Sequence, residues 1–281
     1  MNAHFIPERQ SDGIEFEHAI TDGKMLANGA WQDPCGVSTI QNFEIGTCLR
    51  IGDRSYRYGR FHTAVDELTY AMVNGNIIPT DGAEVAVGGT PAIGDTTIVV
   101  LDTGAAGARP VNYYQGGYCL IYRNPAIAQS ALNHDQFRKI IASTVGNTTS
   151  ITLTLEYPLT CVPVATVDCY PSPYSKICKA GHSASGAEMF VGYAHAFHAE
   201  GGFGWVQTWG PAHGHYTGGA TEWPGNHGPN DRQCVFSVEG GLRTTKSSGT
   251  VVPLASQIAG FVIPCTASDY GSCFFWLTIA P

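Results

Sequence analysis

Charge is what this chain has least of. Lys, Arg, Asp and Glu make up 14% of its 281 residues, against roughly 25% in ordinary soluble domains. No block of Lys or Arg occurs, and the formal net charge is −8. Gripping a duplex needs several phosphate-neutralising cations on one face, so no direct nucleic-acid contact is expected. Long apolar runs are also missing. The longest, over 258–264 and 273–279, are strand-sized and far short of the roughly 20 residues that cross a bilayer as a helix. No membrane partner is expected. Residues 1–17 carry Glu8, Arg9, Asp12, Glu15 and Glu17 without an apolar core, which is not a signal-peptide pattern. The expectation is synthesis in a cytoplasm.

The motifs of common catalytic sites are absent too. There is no G-x-S-x-G elbow, no P-loop and no G-x-G-x-x-G opening a helix. Gly201-Gly202-Phe203-Gly204 precedes an extended run and reads as a turn. Glu156, Asp168, Glu188 and Glu200 are the acidic residues that a hydrolase would draw on, but no spacing among them selects a pair. No enzyme activity and no cofactor are expected. His195, His198, His213, His215 and His227 crowd one stretch. Zinc would need three or four of them converging on one point. On a strand, His195 and His198 fall on opposite faces and His213 and His215 on the same one. Ordinary hydrogen-bonding histidines are the better reading, and no metal site is assigned.

Nine cysteines occur, at 35, 48, 119, 161, 169, 178, 234, 265 and 273, none in C-x-x-C spacing. In a reducing compartment buried, reduced thiols are the norm. Cys119 reads as a small core residue. Cys161 with Cys169, or Cys265 with Cys273, are close enough in sequence to face each other across hairpins.

What is present is a series of strands. Gly and Pro, 34 and 16 residues, together form about 18% of the chain and supply many tight turns. Residues 96–101, 117–123, 137–142, 150–155, 162–169, 189–197, 203–209, 233–238, 258–264 and 273–279 read as extended. The 150–155 segment alternates polar and apolar residues, as a strand with one wet face does. Residues 66–73 read as one or two turns of helix. The expected fold is all-β, an antiparallel sandwich or barrel with long loops and little helix. Residues 1–45 read as an extended N-terminal arm ordered by a partner, and 46–281 as the β domain, with a sub-boundary near 180.

Two features look like contact surfaces. Gly52-Asp53 sits between two extended runs and suits a two-residue hairpin turn. Arg50, Arg54, Arg57 and Arg60 would give that hairpin a positive face, with Tyr56 and Tyr58 opposite. The stretch 211–231, rich in Gly, His, Asn and Pro, reads as a long loop, and such loops are usually functional. Trp223 within it is a candidate contact for a partner or a glycan. Trp205 reads as core.

Several segments, taken in order, resemble a family of bacteriophage virion proteins of head-decoration type. They are Gly52-Asp53-Arg54-Ser55-Tyr56-Arg57-Tyr58, then Ile93-Gly94-Asp95-Thr96-Thr97-Ile98-Val99-Val100. Tyr114 to Ile121 and Thr152 to Leu159 follow. Phe203-Gly204-Trp205-Val206-Gln207-Thr208-Trp209-Gly210 and Ala259-Gly260-Phe261-Val262 complete the series. The resemblance covers roughly residues 46–280. It implies a cement protein on the outer surface of a phage head, present in many copies. Its partners would be the major capsid protein and its own copies in a homotrimer, with the arginine hairpin docking on the shell. A tail or fibre component, or a glycan-binding host-contact module, is the alternative.

Overall fold

The computed structural model describes residues 4–5, 19–21, 32–65, 70–74, 85–101, 110–123, 135–144, 150–181, 189–217, 232–244, 246–247, 250–251, 257–263 and 272–281. Over these the chain is all-β, with twenty strands and no helix. It divides into two compact units. Unit 1 is Met1–Gly75 with Lys176–Pro281, and unit 2 is Asn76–Ser175.

Unit 2 is a closed antiparallel barrel. Its strands are β6 (Val85–Gly88), β7 (Thr97–Leu101), β8 (Tyr118–Arg123), β9 (Gln136–Ser143), β10 (Ile151–Leu155) and β11 (Pro163–Tyr170), in the order β10-β7-β6-β11-β8-β9. The meander β8-β9-β10 is flanked by β11 beside β8 and by β7 beside β10, which makes two overlapping Greek keys. Closure leaves no unpaired sheet edge. The alternation seen in the sequence carries through: Ile151, Leu153 and Leu155 are buried, and Thr152 and Thr154 only partly so. With Ile98, Val100, Tyr114, Cys119, Ile121, Ile140, Leu159, Val167 and Cys169 they fill the barrel. Each aliphatic side chain buried this way contributes about 1.5–3 kcal/mol.

Unit 1 is one branched antiparallel sheet. Its main path runs β1 (His4–Phe5), β2 (Ala19–Thr21), β3 (Cys48–Ile51), β4 (Arg54–Arg60), β14 (Phe203–His215), β20 (Ser272–Thr278), β19 (Ile258–Val262), β15 (Gln233–Phe236) and β16 (Leu242–Thr244). A branch of β12 (Ile177–Lys179), β5 (Ala71–Asn74) and β13 (Met189–Ala194) joins at β14. A separate small pair is formed by β17 (Lys246–Ser247) and β18 (Thr250–Val251). Gly52-Asp53 makes the expected two-residue turn between β3 and β4, with Gly52 at φ 54°.

Two expectations fail here. Residues 71–74 form a strand, not the end of a helix. β5 lies between β12 and β13 and Ala71, Met72 and Val73 are all buried. An apolar run covered on both faces carries no period that separates strand from helix. Residues 211–215, assigned to the long loop, continue β14 and pair with β20. Pro211 is unusual inside a sheet, which is why the sequence reads as a break.

Residues 32–45, grouped with the arm in the sequence, are fastened to unit 1 through the buried Gln32, Asn42 and Phe43. Gln32 is the fastener. Its Nε2 donates to the carbonyls of Gly36 and Phe203, at 2.7 and 3.0 Å, and its own carbonyl accepts from Trp205 Nε1 at 2.8 Å. Phe43 packs with Leu49, Tyr56, Tyr58 and Trp205. Burial pushes the Tyr58 phenol up to about 12. That hydroxyl accepts from the Asn42 amide and donates to Gln32 Oε1.

Register shifts bend the sheet, and glycine permits one of the tightest. Gly260 has φ 147° and sits where β15 and β19 slip register. A Cβ there would lie 1.8 Å from the Trp276 carbonyl oxygen. Gly201 also has a positive φ, 78°, but open space around it. All five tryptophans, at 31, 205, 209, 223 and 276, belong to unit 1, so tryptophan fluorescence reports that unit's unfolding. Gly260→Ala is expected to cost about 2–3 kcal/mol in urea denaturation followed this way, from steric conflict added to backbone strain. Gly201→Ala should cost about 1 kcal/mol, the conformational term alone.

Candidate functional site

The feature of unit 1 that most resembles a working surface is the outer face of β14, β20 and β19. β20 alternates cleanly: Cys273, Phe275 and Leu277 are buried, whereas Phe274, Trp276 and Thr278 face out. The inward set packs with Ala212, Val262, Cys234 and Tyr193. The outward set forms rows with its cross-strand partners. One row is Gln233, Phe261, Trp276 and Pro211, read across β15, β19, β20 and β14. The next holds Ile263, Phe274 and His213. A third pairs Thr278 with Trp209.

These three rows contain no Lys, Arg, Asp or Glu. Phe261 and Phe274 remain 46% and 44% exposed. The Phe261 and Trp276 rings are parallel to within 3° with centroids 6.1 Å apart, an offset arrangement that aromatic quadrupoles favour. Contiguous apolar surface on a folded domain marks sites of association. Depletion of charge with enrichment of aromatics is the composition of interface centres.

A bend in β14 puts these rows where they are. Its first half pairs with β4 and its second with β20, and the register shifts between Gln207 and Trp209. Gln207 is wholly buried. Its Nε2 donates to the carbonyls of Trp209 and Pro211 at 3.0 and 2.9 Å. Its Oε1 lies 2.6 Å from His195 Nε2. Since the amide nitrogen is spent on two carbonyls, Oε1 is the acceptor and His195 must carry its proton on Nε2. Burial, with Arg54 nearby, holds the His195 pKa below the usual range against that hydrogen bond.

The sequence-derived candidates fall differently from expectation. The four arginines do not share a face. Arg50 pairs opposite Ser55 and Cys48 opposite Arg57, so period two groups Arg50 with Arg57, and Arg54 and Arg60 with Tyr56 and Tyr58. Tyr56 and Tyr58 are therefore not opposite the arginines as a set; both are buried. Arg57 donates to the carbonyls of Gly46 and Pro281. Arg60 lies over the Phe203 ring at 6.0 Å. Arg50 and Arg60 are the two exposed members. Trp223 and His227 lie outside the described residues. Trp205 is core, as read.

The remaining candidates lie apart from that face or outside the described residues. Among the described residues no group of three or more His, Cys, Asp or Glu is placed to hold a metal ion. In unit 2, Asp168 accepts hydrogen bonds from Tyr122 and Tyr170, at 2.7 and 3.3 Å, and Glu156 is exposed. Glu200 in unit 1 is exposed, and Glu188 lies outside the described residues. In unit 2, Tyr118 stacks on Phe137 with ring centroids 4.7 Å apart.

Sequence reading missed Phe261, Phe274 and Trp276. The signal was there: Cys273-Phe274-Phe275-Trp276-Leu277 is apolar on both alternating sets. A strand of that kind is covered on both faces, and here one face is left uncovered by the unit's own core. No protein-family model, no curated protein and no solved structure matches this chain.

His198 is a core histidine. It is buried, stacked on Phe61 with centroids 3.8 Å apart. Neither ring nitrogen has a hydrogen-bond partner. Burial alone brings its pKa down to about 4 from 6.5. The unfolded chain takes up this proton near 6.5 and the folded one only near 4, so protons favour unfolding between those values. Stability is complete above pH 6.5 and declines as pH falls toward 4, by on the order of 3 kcal/mol. Urea midpoints for the native chain and His198→Leu, measured at pH 7 and pH 4.5, check this. The native chain should lose more stability on acidification than the variant does.

Proposed function

We propose that this chain is a bacteriophage virion protein of head-decoration type that binds the outer surface of the capsid and stabilises it. The observation that carries the assembly part of this reading is the uncharged aromatic face of β14, β20 and β19. A face with Phe261, Phe274, Trp276 and Trp209 in register, and no charge to keep it wet, gains most by being covered by another protein surface. Covering about 100 Å² of apolar area is worth roughly 2.5 kcal/mol before association costs. Repeated at symmetry-related positions, such contacts add through multivalency. The virion part rests on the resemblance of the ordered series of segments to head-decoration proteins. The low charge of the whole chain agrees with an exterior largely covered by neighbours.

Within this reading the major capsid protein and further copies of the chain, as a trimer, are the partners. The particle is the location, and no catalysis is involved. The exposed Arg50 and Arg60 are the arginines left to meet an acidic shell. They lie on different faces of the hairpin, so each acts singly. A glycan-binding host contact is the second reading, and it draws on the same face: parallel aromatic rings flanked by Gln233, His213 and Thr278 also suit a neutral sugar.

Quantitative mass spectrometry of purified particles should find this chain at a copy number comparable with the major capsid protein; a handful of copies per particle sinks the decoration reading. Shells stripped of the protein should rebind it. Phe261→Ser combined with Phe274→Ser should weaken rebinding at least tenfold with the fold intact by circular dichroism. Arg50→Glu with Arg60→Glu should weaken it mainly at low salt. Unchanged rebinding by the aromatic double variant, with loss of neutral-glycan binding, would transfer the face to the second reading.

A further inference from the structure

We propose that Cys119 and Cys169 form a redox-controlled disulfide that staples β8 to β11 inside the barrel. Nothing in this inference depends on the function proposed above; it stands on the barrel's register and on two sulfur atoms.

Cys119 and Cys169 are direct register partners, in a ladder that also pairs Tyr118 with Tyr170 and Leu120 with Asp168. Opposed residues in antiparallel strands have Cα atoms about 4.5 or 5.5 Å apart. Both values lie inside the window of about 4.4–6.8 Å that a disulfide tolerates. Both side chains turn into the barrel, 0% and 1% exposed. Their sulfurs are 3.8 Å apart, the contact distance of two thiols. Closing to about 2.05 Å asks for less than an ångström from each sulfur, which side-chain rotation supplies without moving the strands.

Cys161 and Cys48 are placed differently. The expected hairpin partner of Cys169 was Cys161, but Cys161 Sγ instead accepts from Gln136 Nε2 at 2.6 Å. Cys48 stands opposite Arg57. Cys265 lies outside the described residues.

The chemistry is thiol–disulfide exchange with a low-molecular-weight disulfide as oxidant. One protein thiolate attacks a sulfur of the oxidant and expels a small thiolate, leaving a mixed disulfide. The second protein thiolate displaces the remaining small thiol and closes the bond. Two protein thiols become one disulfide, the oxidant becomes two small thiols, and the two protons pass to them. Burial sets the conditions. The exchange requires an opening of β8 from β11, or a chain that has not yet closed its barrel, so it is fast on folding and slow afterwards. In a reducing compartment the pair stays as thiols; in oxidising surroundings it closes. The bond joins residues 50 apart in sequence and encloses β9 and β10, so it restricts a large loop of the unfolded barrel.

The full chain is unfolded and refolded in a mixture of reduced and oxidised glutathione, then digested without reduction. Mass spectrometry should find the peptides carrying Cys119 and Cys169 joined, at a mass about 2 Da below their sum. By calorimetry the barrel's melting temperature should rise by roughly 10 °C and return on adding dithiothreitol. Cys169→Ser should abolish the rise, and Cys234→Ser should leave it in place. The inference is overturned if all nine cysteines still titrate as thiols in denaturant after oxidation. It is equally overturned if the linked peptides join other cysteines, or if the 119–169 link forms without raising the melting temperature. The mapping uses the native sequence, so it stands even if a serine variant fails to fold.

Discussion

A strand has two edges, and β14 must satisfy hydrogen bonds along both of them to three other strands. Trp209 pairs with Ser55 on one side and Thr278 on the other, and β13 meets Val206 and Gln207. β14 serves β4 over its first half and β20 over its second, and a carbonyl left without a partner at the change of neighbour would be stranded in the core. The slip between Gln207 and Trp209 resolves the conflict, and the Gln207 amide takes over two carbonyls that the ladder drops. An unsatisfied buried carbonyl costs about 1–3 kcal/mol, so the bend is bound to this one side chain and to the His195 ring that holds it.

From that bend follows the surface. Past Gly210, which has φ 94°, the outward positions of β14 are Pro211, His213 and His215. Pro211 and His213 come into register with Trp276 and Phe274 of β20. The inward positions of the same strands build the core of unit 1. One strand pair therefore contributes apolar side chains to both faces, and only one face is satisfied within the unit. In the proposed reading that face is the one another protein surface covers.

The barrel of unit 2 obeys a simpler rule. Every strand is paired on both edges, and alternation sends Ile, Leu and Val inward. Its period-two pattern is visible in the chain, most plainly at 150–155. The facing of Cys119 and Cys169 is not, because β8 and β11 are separated by two hairpin-linked strands. Which residues oppose each other there is decided by register and not by distance along the chain.

The all-β class, most strand positions, the Gly52-Asp53 turn and the absence of familiar catalytic motifs were legible in the residues, because alternation and turn chemistry are local. The core role of Trp205 was legible as well. Hidden from the sequence were the strand at 71–74, the continuation of β14 through Pro211, the split of the arginines between two faces, and the cysteine pair of the barrel. The run 273–277 showed apolar residues on both alternating sets, but not that the Phe274 and Trp276 side would line up with Phe261 and stay partly open. Each of these depends on which strand lies next to which. Local chain preferences say whether a segment is extended and which of its faces is apolar; only the assembled sheet decides whether that face meets the protein's own core or is left for another surface.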